Sequence, residues 1–122
     1  MKKILVADDE ESIRILYQEE LEKEGYAVNL AANGREALEL LDSYVPDLLI
    51  LDIQMPGISG IEILQQVRSR FRNLPIILSS AYPEYQQNLA TWASDAYVVK
   101  SSNLENLKSA IRKIFGLPKY GG

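Results

Sequence analysis

Acidic, hydroxyl and amine side chains stand where the short apolar runs of this sequence end. Asp8-Asp9-Glu10-Glu11 follow Ile4-Leu5-Val6-Ala7, and Asp52 follows Leu48-Leu49-Ile50-Leu51. Ser79-Ser80 follow Pro75-Ile76-Ile77-Leu78, and Lys100 follows Ala96-Tyr97-Val98-Val99. Singly, most have an ordinary structural use. Acids ahead of a helix complement its dipole, serines cap, and a lysine lies on the surface. Asp52 is harder to place so, because a carboxylate ending a buried strand is costly unless paired. Together the residues define a chemistry. Clustered carboxylates need a counter-charge at neutral pH, which a divalent cation supplies with help from Lys100. One carboxylate then remains a nucleophile towards phosphorus, while cation and ammonium neutralise charge on the phosphoryl oxygens. The Ser80 hydroxyl donates to one of those oxygens. This is a phosphoryl-accepting site, with Asp52 forming an aspartyl phosphate.

Composition narrows the alternatives. The chain has 122 residues, 47% apolar and 25% charged, the balance of one ordinary globular domain. Cysteine and histidine are both absent, which excludes disulfides, thiolate or Ser-His-Asp catalysis, and zinc-thiolate or imidazole metal sites within the chain. A metal must take oxygen ligands, which favours Mg²⁺, Mn²⁺ or Ca²⁺. Thirteen basic against 17 acidic residues leave a net charge of −4 with no basic cluster, so direct nucleic-acid binding is not expected. No apolar run approaches a membrane span, and the one before Asp8 is too short for a signal peptide, so neither membrane insertion nor export is expected.

Strand and helix patterns alternate. Lys3–Ala7 reads as a buried strand. Ile13, Leu16, Tyr17 and Leu21 follow at helical spacing, with Gly25 as the stop. Tyr26–Ala31 is a second strand. Asn33 caps the next helix, with Glu36 completing a box and Ala37, Leu38 and Leu41 facing inward. Leu48–Leu51 is the most apolar strand, placed centrally and ending at Asp52. After the loop 54–60 comes a helix with Ile61, Leu64 and Val67 inward. Pro75–Ser79 is the fourth strand, and a weaker helix begins near Pro83 or Glu84 and carries Leu89 and Trp92. Ala96–Val99 is the fifth strand. The last helix has a Ser102…Glu105 box and a Leu104, Leu107, Ile111, Ile114 stripe, closed by Gly116 and Pro118. Five strand–helix units imply a doubly wound α/β fold, a five-stranded parallel sheet with helices on both faces and right-handed crossovers. In such sheets ligands bind beyond the carboxyl ends of the strands, where the chemistry-bearing residues fall. Residues 1–118 form the expected domain, with 119–122 as a frayed tail.

The motifs Ile4-Leu5-Val6-Ala7-Asp8-Asp9, Leu51-Asp52-Ile53-Gln54-Met55-Pro56-Gly57-Ile58-Ser59-Gly60, Pro75-Ile76-Ile77-Leu78-Ser79-Ser80-Ala81 and Ala96-Tyr97-Val98-Val99-Lys100 resemble the receiver (response regulator) domain of two-component signalling. The resemblance runs from Lys3 to about Phe115. It implies a flavodoxin-like three-layer sandwich with strand order 2-1-3-4-5 and five helices. It also implies Asp52 as phosphoacceptor, and Asp8, Asp9, Asp52 and the Gln54 backbone carbonyl as ligands of Mg²⁺, with Mn²⁺ as a substitute. Ser80 and Tyr97 would form the switch, and Lys100 would pair with the phosphoryl group. The donor would be a phosphohistidine on a sensor histidine kinase or phosphotransfer protein, since this chain has no histidine. The output would be a repacked surface of the fourth helix, fifth strand and fifth helix, read by a protein target or a second copy. A cytoplasmic signalling switch is expected, catalysing only its own phosphorylation and dephosphorylation. The rival within the fold is a degenerate receiver serving as a phosphorylation-independent scaffold, which the intact set Asp8, Asp9, Asp52, Ser80 and Lys100 opposes.

Two departures from the family pattern stand out. Ser101 follows Lys100 where the family usually has proline after a cis bond, so the loop takes a trans path or keeps a strained one costing roughly 3 kcal/mol. Tyr82, two residues beyond Ser80, is expected to overhang the site and slow water attack. Other chemistries fit less well. A flavin binder would place Ser, Thr and Gly, not Asp8-Asp9-Glu10-Glu11, after the first strand. A haloacid-type phosphatase needs a second Asp where Gln54 stands, and no Gly-Lys-Ser/Thr loop is present for a nucleotidase.

Overall fold

The structure is a computed structural model that describes residues 1–81, 93–101 and 103–117. Strands β1 (Lys3–Ala7), β2 (Ala27–Ala31), β3 (Leu48–Asp52), β4 (Ile76–Ser80) and β5 (Ala96–Val99) form one parallel sheet ordered β2-β1-β3-β4-β5. Helices α1 (Glu11–Lys23), α2 (Gly34–Ser43), α3 (Gly60–Arg70) and α4 (Glu105–Phe115) are the four among the described residues. The helix expected near Pro83 or Glu84 with Leu89 and Trp92, and also Tyr82, Ser102, Pro118 and the tail 119–122, lie outside the described residues.

Alternation along the strands sorts the core into two layers. Leu5, Leu49, Leu51, Ile76 and Leu78 pack with Ala37 and Leu41 of α2 and Ile63, Leu64 and Val67 of α3. Ile4, Val6, Leu48, Ile50, Ile77 and Val98 pack with Tyr17 and Leu21 of α1 and Leu107 and Ile111 of α4. Every residue of β3 is buried, which is why Leu48–Leu51 are apolar without alternation. Burying each such side chain contributes roughly 1.5–3 kcal/mol relative to exposure.

Local signals set the ends. Asn33 Oδ1 accepts from Glu36 N at 2.9 Å, while the Glu36 carboxylate reaches Ala32 N, one residue before the cap, also at 2.9 Å. Gly25, with φ +95°, closes α1 in the left-handed conformation that other residues avoid.

Several boundaries differ from expectation. β2 begins at Ala27, not Tyr26, and β4 runs from Ile76 to Ser80 rather than from Pro75 to Ser79. Proline has no N–H for the ladder, so Pro75 contributes only its carbonyl, which accepts from Leu49 N. In α3 the buried face is Ile63, Leu64 and Val67, with Ile61 only half-buried. The reason lies in α2: a Cβ at Gly34 would meet Ile63 Cδ1 at 2.7 Å, so that glycine opens the space Ile63 fills. The last helix is capped by position Leu104, and Asn103 Oδ1 takes the Glu105 N–H at 2.8 Å. No cis peptide bond occurs among the described residues, so Lys100–Ser101 follows the trans path.

Candidate functional site at the carboxyl edge of the sheet

The parallel order brings the ends of β1, β3, β4 and β5 to one edge, and the residues singled out by the sequence meet there. Asp8 and Asp52 are 1% and 3% exposed, so two carboxylates are buried at the centre. Lys100, just past β5, spans them: its Nζ lies 2.8 Å from Asp8 Oδ2 and 3.3 Å from Asp52 Oδ2. A third carboxylate, Glu10, is 3.5 Å from the same Nζ. Gln54 N donates to Asp52 Oδ1 at 3.2 Å, and Glu10 N donates to Asp8 Oδ1 at 2.9 Å. Each buried carboxylate thus has one backbone N–H and a share of one ammonium.

That share decides the electrostatics. Burial first, and the neighbouring Asp8 carboxylate second, raise Asp52 to about 7, against the pull of Lys100 and of the Gln54 N–H. Burial would lower Lys100, but hydrogen bonds and charges of Asp8 and Asp52 outweigh it and hold the ammonium above its ordinary range. The two directions agree: one cation serves two buried anions and stands nearer Asp8, so it is over-stabilised while Asp52 is under-compensated.

The cluster opens to solvent through a cavity of about 330 Å³ lined by Asp9, Glu10, Asp52, Gln54, Ala81 and Lys100. Carboxylate oxygens of Asp8, Asp9 and Glu10 lie within 4.8 Å of one another. Hard oxygen donors around a small open space, with more negative charge than one lysine balances, fit a divalent cation such as Mg²⁺.

Ser79 and Ser80 are both buried at the end of β4, where Ser79 pairs in register with Asp52 and Ser80 with Val99. Tyr97 is half-buried against the layer under α2 and α3. Three contributions were missed in the sequence. Tyr17, which helical spacing marked as core, carries its hydroxyl to Ser79 Oγ at 3.2 Å, and burial keeps that phenol above its usual range. Arg14 donates to the Asp8 carbonyl at 2.7 Å. Gly60 lets α3 start against the end of β3: a Cβ there would lie 2.1 Å from the Asp52 carbonyl oxygen. Only for Gly60 was there a signal, a glycine at a helix start directly after the loop.

The response regulator receiver domain family matches residues 4–112. The chain belongs to the response regulator receiver family. This receiver is 36% identical over 118 residues to sporulation initiation phosphotransferase F of Bacillus subtilis, covering 95% of each chain. It spans about half the length of other curated relatives it matches, among them the response regulator MprA of Mycolicibacterium vanbaalenii, 37% identical, and the alkaline phosphatase synthesis transcriptional regulatory protein PhoP of Bacillus subtilis, 36% identical. Its fold superposes with a TM-score of 0.91 on the response regulator TrrA of Thermotoga maritima, solved in complex with Mg²⁺–BeF. The two are 50% identical, over 93% of this chain and 99% of that one. A second structure of TrrA, bound to the histidine kinase ThkA, gives a TM-score of 0.88 at 49% identity, over 93% of this chain and 98% of that one. The receiver is therefore a signalling module of the two-component class. No helix among the described residues is long and apolar enough to cross a membrane.

Proposed function

We propose that this receiver accepts a phosphoryl group on Asp52 from a phosphohistidine of a sensor histidine kinase or phosphotransfer protein, in the cytoplasm, and passes the signal on as a change of surface. The observation that carries this reading is the Asp52 carboxylate, buried at the end of β3 yet lining the open cavity beside Lys100. The bond that forms joins an Asp52 oxygen to phosphorus, and the bond that breaks is the donor's P–N bond, whose electron pair leaves with the imidazole. Lys100 balances the charge of the phosphoryl oxygens. Asp8, Asp9, Asp52 and the Gln54 carbonyl would hold Mg²⁺, or Mn²⁺ in its place, and bound cation supplies further charge neutralisation at the phosphoryl group. TrrA's complexes with Mg²⁺–BeF and with a histidine kinase support both the cation and the donor class.

In this reading Ser80 moves to donate to the phosphoryl group and Tyr97 follows. The surface of the expected fourth helix, which lies outside the described residues, with β5 and α4 would then repack, and a protein target or a second copy would read it by population shift. The only reactions catalysed are gain and loss of the receiver's own phosphoryl group. Tyr82 would shield the acyl phosphate from water, so Tyr82→Ala is expected to shorten its lifetime.

The deciding experiment is intact mass after incubation with Mg²⁺ and acetyl phosphate. One added phosphoryl group, absent in Asp52→Asn and without Mg²⁺, is the expected result. Addition to Asp52→Asn at the wild-type level would overturn the assignment, and no addition from acetyl phosphate or from a phosphorylated kinase would favour a scaffold.

A further inference from the structure

Tyr17, only 2% exposed, belongs to the apolar layer between the sheet and helices α1 and α4. A leucine there would fill the space with no polar atom to satisfy. A buried hydroxyl is tolerated when it is bonded, and Tyr17 shares its hydrogen bond with Ser79 Oγ, on a residue 1% exposed.

The place of that bond gives it a use. Ser79 stands beside Asp52 in the β3–β4 ladder, and its carbonyl accepts from Ile53 N at 3.2 Å, so the peptide group leaving Asp52 hangs from Ser79. The next carbonyl, that of Ser80, accepts from Lys100 N at 2.7 Å. The dipeptide Ser79-Ser80 therefore carries the backbone of Asp52 on one side and of Lys100 on the other. Tyr17 ties it to α1, the helix that leaves from the acids Asp8, Asp9 and Glu10.

We propose that Tyr17 is a positioning residue of the phosphoryl-accepting site, whose hydroxyl, through Ser79, sets the end of β4 and thereby the spacing of the Asp52 carboxylate and the Lys100 ammonium. The inference rests on the reading of Asp52 as the acceptor. Tyr17 touches no reacting atom and acts through Ser79.

The test uses the full chain with Tyr17→Phe, Ser79→Ala and the double variant. Each single variant leaves one buried hydroxyl without its partner, whereas the double removes both and regains stability. A packing role alone would make the phosphorylation rate follow stability and return in the double variant. A positioning role keeps the rate at saturating acetyl phosphate and Mg²⁺ roughly tenfold below wild type in all three. The amide signals of Ser80 and Lys100 should shift in each variant. A wild-type rate in Tyr17→Phe, or its recovery in the double variant, would overturn the proposal alone. A wild-type chain that takes no phosphoryl group on Asp52 would overturn both it and the function on which it rests.

Discussion

The Lys100 ammonium reaches Asp52 Oδ2 at 3.3 Å across the whole width of β4, from a position one residue past the edge strand. The same nitrogen is nearer to Asp8, so Asp52 is buried with only part of a counter-charge. Most of what can be tested follows from that imbalance.

Asp52 is neutral in the folded chain over a pH range where the unfolded chain has already released the proton. Stability from that neutral form is full below the ordinary aspartate range and is lost as pH rises through about 7. Asparagine suffers no such loss. In the absence of divalent cations, Asp52→Asn is expected to be more stable than wild type at about pH 8 and to keep less than half of that advantage at about pH 5. Urea midpoints at the two pH values check this, and an advantage that grows towards low pH would contradict it.

Lys100→Ala leaves Asp8 and Asp52 buried without the ammonium. Removing one partner of a buried pair costs about 3–5 kcal/mol, here reduced by protonation of Asp52. The loss should be greatest at about pH 8 in chelator and partly recovered by Mg²⁺. The variant should still bind the cation, yet show no phosphorylation-dependent shift in the ring signals of Tyr97.

Asp9 is exposed and lines the cavity with Asp52 and Gln54. Asp9→Ala should weaken Mg²⁺ binding by at least about tenfold, since losing even a residue that only orients a ligand costs that much. Glu10→Gln should weaken it less, because the Glu10 carboxylate is also engaged by Lys100. Calorimetric titration of both variants checks the order.

Gly60→Ala should be among the most damaging small changes in the chain. Its methyl group would meet the backbone of Asp52 and Ile53, neither of which is the movable end of a side chain. Overpacking of this kind costs about 1–3 kcal/mol. The displaced end of β3 should also slow phosphorylation, and a variant with wild-type stability and rate would refute the close-approach argument.

Among the described residues, the order and type of the elements, and the residues at the strand ends, were legible in the sequence because a buried parallel strand must be apolar along its length. Asp52 was conspicuous for the same reason, a charge at the end of Leu48–Leu51. Register and approach were not legible. Ile63 is buried deeper than Ile61, which packs half-buried against the same core, and its side chain fills the space that Gly34 of another helix leaves. Tyr17 reads as one more apolar residue until Ser79, 62 positions away, is brought to its hydroxyl. Local patterning thus determined what each segment is and which groups could react. Only the tertiary structure decided that one ammonium is divided between Asp8 and Asp52, because charge sharing depends on distances between strands far apart in the chain.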